Sequence, residues 1–87
     1  MLAITDDAKE LLKGVLEQRG EPTQGLRLHE TGEGLELRLD QAAEDDVIYD
    51  VDGRDVLLVQ RDLANKMDGI TIEREEAPGG ARLVISK

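Results

Sequence analysis

The stretch from Asp45 to Ile72, DDVIYDVDGRDVLLVQRDLANKMDGITI, limits the fold more than any other part of the chain. At its centre Val56, Leu57, Leu58 and Val59 form an unbroken apolar run. Adjacent side chains of a strand point to opposite faces, so a strand here needs cover on both sides. Asp52-Gly53, just before the run, signals a tight hairpin, because Asp and Gly tolerate the positive φ angles of a two-residue turn. Val47 to Val51 is then the outgoing strand and Asp55 to Gln60 the return. Asp62 is placed to cap a short helical turn carrying Leu63, Ala64 and Met67, which Asp68-Gly69 ends. Ile70 and Ile72 share one face of a further strand.

Upstream, Leu2 to Ile4 reads as a short edge strand. Ala8, Leu11, Leu12, Val15 and Leu16 then make one apolar helical stripe, with Thr5 as N-cap and Asp6 and Asp7 favourably placed in the first turn. The helix is expected over Asp6 to Arg19, stopped by a left-handed Gly20 and by Pro22. Gly14, inside it, is explained if the helix packs closely there. Leu26 and Leu28, then Leu35, Leu37 and Leu39, alternate with polar residues as two half-buried strands. The loop His29 to Gly34 joins them, with Gly32 and Gly34 supplying positive φ. Gln41 to Asp46 is an acidic connection. Glu75 to Gly80 is a turn-rich loop, and Ala81 to Ser86 is the last strand, with Leu83 and Ile85 on one side and Val84 on the other. The expected fold is mainly β with one N-terminal α-helix: a small β sandwich or partly open barrel of about six or seven short strands.

A chain of 87 residues has room for one domain and a thin core. That core is aliphatic, since Phe, Trp and Cys are absent and Tyr49 is the sole aromatic. Without cysteine there is no thiol nucleophile, redox pair, disulfide or thiolate metal site. The net charge of −9 opposes binding to nucleic acid or to anionic membranes. No basic leader followed by an apolar stretch stands at the start, and no apolar run reaches the length of about 20 residues that spans a bilayer. A soluble cytoplasmic protein is expected.

Candidate chemistry is sparse. His29 is the single histidine, open to a role as base or ligand. It has no second His or Cys to join it, and the plainer reading is a solvent-facing strand residue next to Leu28. With Glu30 and Glu33 it marks a candidate functional loop. Asp50, Asp52 and Asp55 surround Gly53 and are weak metal candidates. Their spacing departs from the EF-hand loop, and Asp serves hairpin turns through backbone hydrogen bonds. Asp40, Glu44, Asp45 and Asp46 form a second acidic group, which reads as a solvated loop or a weak hard-cation site. The glycines of Gly32-Glu33-Gly34 and Pro78-Gly79-Gly80 precede no helix and lack the lysine of a phosphate loop. No catalytic residue is assigned, and no cofactor is expected.

The order of elements resembles the HesB-like family, the A-type iron–sulfur carriers. That family opens with a helix of the form T-x-x-A…I-x-x-L-L leading to G-L-R-L. Here Ile4, Thr5, Ala8, Leu11, Leu12, Leu16 and the run Gly25, Leu26, Arg27, Leu28 match. Its later signature, D-D…G…V-x-V-D-x-x-S-L-x-x-L-D-G-x-x-I-D-Y, is met by Asp45, Asp46, Gly53, Val56, Val59, Leu63, Asp68, Gly69 and Ile72. The resemblance spans nearly the whole chain and implies a single HesB-like domain over residues 1–87.

The departures bear on function. Family carriers place one cysteine in the glycine-rich loop after G-L-R-L, where this chain has only Thr31-Gly32-Glu33-Gly34. They place two more in a C-terminal C-G-C tail, and this sequence stops at Lys87. No ligand position carries over, and carboxylates do not replace thiolates in holding a cluster. The expectation is a non-catalytic accessory module that binds protein, with the iron–sulfur assembly machinery as the implied partner and a homodimer as a further arrangement. Two alternatives stand beside it: a hard-metal (iron) binder using acidic loops, and a structural or regulatory domain with a small molecule in its β core.

Overall fold

The computed structural model describes residues 1–20, 23–32 and 34–86. In chain order the elements are β1 (Ala3–Ile4), α1 (Asp6–Arg19), β2 (Gln24–Thr31), β3 (Gly34–Gln41), β4 (Asp46–Val51), β5 (Arg54–Gln60), α2 (Arg61–Lys66), β6 (Thr71–Ala77) and β7 (Gly80–Ser86). They form a four-stranded sheet of order β3-β2-β5-β4 and a three-stranded sheet of order β1-β6-β7. The mainly β architecture with one long helix and two sheets that do not close on each other is the expected one.

The apolar run of β5 lies between β2, paired in parallel, and β4, paired antiparallel. Val56, Leu57, Leu58 and Val59 are all fully buried. The register slips between Tyr49 and Asp50, which face Leu57 and Asp55, so Val56 is the extra residue of a β-bulge. A bulge re-aims a side chain, which accounts for Val56 joining its neighbour Leu57 in the main core cluster. Leu58 stays outside that cluster and points to the opposite face, level with Arg27 and Ile48. Gly25 closes over it: a Cβ at Gly25 would stand 3.2 Å from Leu58 Cγ. Asp52 (φ 52°) and Gly53 (φ 81°) form the tight turn that Asp-Gly announces.

Helix α1 buries Ala8, Leu12 and Leu16 and packs against both sheets. The Thr5 hydroxyl accepts from the Ala8 N–H at 3.2 Å, which satisfies one of the donors left unpaired at a helix start. Gly20 is not left-handed but extended (φ −95°), and its N–H donates to the Leu16 carbonyl. The glycine fits a tight contact there, since a Cβ would lie 3.0 Å from Leu16 Cδ2 and 3.4 Å from Leu39 Cδ2. Gly14, by contrast, has nothing within 4 Å of its Cβ position, so no close packing explains it. Pro22 lies outside the described residues.

Strands run further than composition indicates. β2 and β3 pair up to Thr31 and Gly34, so His29 and Glu30 belong to the strand. Gly34 has positive φ and Gly32 does not. β6 continues through Glu75 and Glu76 to Ala77, because the turn needs only Pro78-Gly79 and the Arg82 side chain bonds Glu75 across the pair. α2 starts at Arg61 with Gln60 in the cap position, so Asp62 sits in the first turn instead of capping it. Tyr49 donates from its hydroxyl to the Leu2 carbonyl at 2.6 Å, tying β4 to the start of β1. That contact joins the two sheets on one side, while β3 and β7 remain sheet edges on the other.

Two stability predictions follow from β5 and its turn. Leu57→Ala and Leu58→Ala should each lower stability by about 2–5 kcal/mol in urea denaturation, since each is wholly enclosed on its own face. Gly53→Val should cost about 1–2 kcal/mol, because a β-branched residue resists positive φ. An unshifted midpoint for any of these variants would contradict its placement.

Candidate functional site

Strand alternation sends Leu26 and Leu28 into the core and Arg27 between them to the opposite face. There Arg27 Nη1 and Nη2 donate to the two carboxylate oxygens of Asp46 at 2.6 and 2.7 Å. Its Nε donates to Asp40 at 2.7 Å, and Nη2 also reaches the Gln41 carbonyl at 3.0 Å. The Ala43 N–H donates to Asp46 Oδ2 at 2.7 Å. The side chains of Arg27 and Asp46 are 14% and 1% exposed, so this is a desolvated, bidentate pair and not a surface bridge. The acidic connection that reads as a solvated loop is thus folded around one arginine.

The charges respond accordingly. The Arg27 guanidinium, then the Ala43 N–H, hold the Asp46 carboxyl below the usual range against the opposing effect of burial. Asp40 is lowered in the same way by Arg27 and by the Gln41 N–H. Bonding to Asp46 raises Arg27 further above its ordinary value.

Beside this network lies an open polar concavity of about 700 Å³, walled by Arg27, His29, Glu30, Asp45, Asp62 and Lys66. His29 is half-buried and faces Glu36 across the β2–β3 pair. Lys66 Nζ stands 3.6 Å from Glu30. His29 and Glu30 both line the concavity, and Glu33 lies outside the described residues. Asp50, Asp52 and Asp55 are exposed on the β4–β5 hairpin and do not line the concavity. Asp52 lies 3.6 Å from Lys13, and Asp50 pairs with Asp55 across the strands. Among the described residues no group of three His, Asp or Glu is placed to hold a metal ion.

A second feature, with no mark in the sequence, is the gap between β3 and β7. Leu35, Leu37 and Leu39 project from β3, and Ala81, Leu83 and Ile85 from β7, at alternate positions. Ile85 is paired with buried Ile72 yet is 48% exposed, and Leu39 is paired with buried Leu26 yet is 39% exposed. Both lie on core-facing sides that are only partly covered. The central groove has a volume of about 480 Å³, with Leu28 and Leu57 among the residues at its base. Adjoining hollows share Leu37 and Leu83 at one end and Leu35 and Ile85 at the other, so the gap is one continuous seam.

The whole architecture has counterparts among solved structures. Escherichia coli SufA, described as involved in biosynthesis of iron–sulfur clusters, superposes with a TM-score of 0.78 at 19% identity. The match covers 99% of this chain and 84% of that one. IscA, solved with a [2Fe-2S] cluster, gives a TM-score of 0.63 at 12% identity over 100% of this chain and 85% of that one. No protein-family model and no curated protein matches the sequence. The chain has the HesB-like fold of the A-type carriers, as its element order implies. An iron–sulfur cluster does not fit its donor set: the 87 residues include no cysteine to supply a thiolate.

Removing the Asp46 charge should be costly. Asp46→Asn leaves Arg27 desolvated without its main partner and should lose about 1.5–3 kcal/mol at pH 7. Because the folded state depresses the Asp46 and Asp40 values, their contribution is full above the unfolded carboxyl value of about 3.9. It is lost as pH falls through the folded values. The gap between wild type and Asp46→Asn should therefore narrow as pH falls below 4, and a gap independent of pH would contradict the pairing.

Proposed function

We propose that this carrier-fold chain is a non-catalytic accessory module of iron–sulfur cluster biosynthesis that acts by binding protein instead of carrying a cluster. The observation that supports the reading is the fold of SufA and IscA over essentially the full chain, combined with no cysteine in 87 residues. A scaffold that cannot offer thiolates can still offer surfaces. The seam between β3 and β7 and the polar concavity beside it are two such surfaces. Neither surface carries a catalytic residue in this reading. In this reading residues 1–87 form a single HesB-like domain working in the cytoplasm alongside the assembly machinery.

Affinity capture tests this directly. The tagged chain, expressed in its own host and washed at moderate salt, should enrich proteins of iron–sulfur assembly over an unrelated acidic protein of the same size. Recovery of none of them, from cells in which that machinery is expressed, would overturn the reading.

A further inference from the structure

We propose that the seam between β3 and β7 binds an extended segment of a partner protein, with apolar residues at alternate positions and a basic flank at one end. The inference rests on the protein-binding reading above and names the surface and the chemistry of its occupant.

Three observations carry it. The first is shape. The seam runs between two strands that are each the last of their sheet, so each presents unpaired backbone donors and acceptors along one edge. An extended chain can use such an edge for main-chain hydrogen bonds, which a compact ligand cannot. The second is pattern. The β7 wall offers Ala81, Leu83 and Ile85, and the β3 wall offers Leu35, Leu37 and Leu39, both with the two-residue period of a strand. Three alternate positions span about 13 Å, so an occupant with apolar side chains at three alternate positions matches the walls in step.

The third is charge. At its Leu35–Ile85 end the seam opens beside Glu30 and Lys66, which are also walls of the polar concavity. Beyond them stand Asp45 and Asp62. Arg27 is committed to Asp40 and Asp46, and Lys66 lies 3.6 Å from Glu30. Asp45 and Asp62 form no ion pair among the described residues, so this end of the seam meets a segment with free negative charge. At the opposite end, near Leu39 and Ala81, the adjoining charge is Arg19. The seam therefore has a direction, and a basic flank fits only at the Leu35–Ile85 end. The net charge of −9 works against a second copy of this chain as occupant and favours approach of a cationic partner.

The test uses the whole chain, labelled with ¹⁵N, and an acetylated peptide with valine at three alternate positions followed by three lysines. Amide shifts should move along Leu35–Leu39 and Ala81–Ile85. A peptide ending in three glutamates should bind at least about tenfold more weakly at low salt, and the difference should shrink as salt is raised. Ile85→Asn, at an already exposed position, should keep the spectrum of a folded protein and weaken the lysine peptide at least about tenfold. Asp62→Asn should weaken the lysine peptide and leave the glutamate peptide no weaker.

Shifts confined to other surfaces, or equal binding of both peptides, would overturn the proposal. So would a free chain that sediments as a dimer and becomes monomeric with Ile85→Asn, which would put a second copy in the seam. Failure here is distinguishable from failure of the functional reading. Capture of assembly proteins that survives Ile85→Asn leaves the function and removes the seam. Peptide binding in the seam without capture of any assembly protein leaves the seam and removes the function.

Discussion

Burying one strand on both faces takes two covers, and in this chain they are made of different material. The inner face of β5 is covered by aliphatic packing, with Leu12 and Leu16 of α1 and Ile72 of β6 in the same cluster as Leu57 and Val59. On the outer face Leu58 stands outside that cluster. There Leu58 is enclosed by the Gly25 backbone on one neighbouring strand and by its row partners Arg27 and Ile48. A core without Phe or Trp has few large side chains with which to fill that outer layer, so backbone proximity and a folded-over loop do the covering.

That arrangement gives the Arg27–Asp46 pair a role beyond its own hydrogen bonds. By taking Asp40, Asp46 and the Gln41 carbonyl at once, Arg27 holds the connection between β3 and β4 against the outer face of the sheet. A pair this enclosed is a poor source of net stability compared with apolar packing. It is, however, demanding about geometry, and so it fixes which way the connection crosses. The G-L-R-L run thus joins two tasks, with leucines facing the core and arginine anchoring the loop on the far side.

What the sequence revealed and what it concealed divide along physical lines. Periodicity exposed the α1 stripe and the strands, and Asp52-Gly53 announced its turn, because each signal is local. The doubly apolar β5 run was legible as the most buried strand for the same reason, although the bulge that brings Val56 into the core was not. Arg27 and Asp46 are 19 residues apart in sequence, and their meeting depends on the β2–β5–β4 register, which no local pattern encodes. The seam is hidden more deeply. Leu37 and Leu39 alternate just as Leu26 and Leu28 do, and only the sheet order reveals that the first pair stands at an edge with nothing beyond it. Gly20 carried a misleading signal, since a glycine after a helix serves a left-handed cap or a tight contact, and here it serves the contact.

A carrier fold without thiolates separates scaffold from cargo chemistry. In the two-sheet frame the long helix and β5 share one aliphatic cluster. The central claim is that this frame is used for its surfaces and not for ligation. Anaerobic native mass spectrometry of the chain after incubation with ferrous iron and sulfide tests it most directly. The account predicts that, after desalting, the folded chain appears at the mass of the polypeptide alone. A stoichiometric adduct of iron with sulfide, carried by the folded chain, would contradict it.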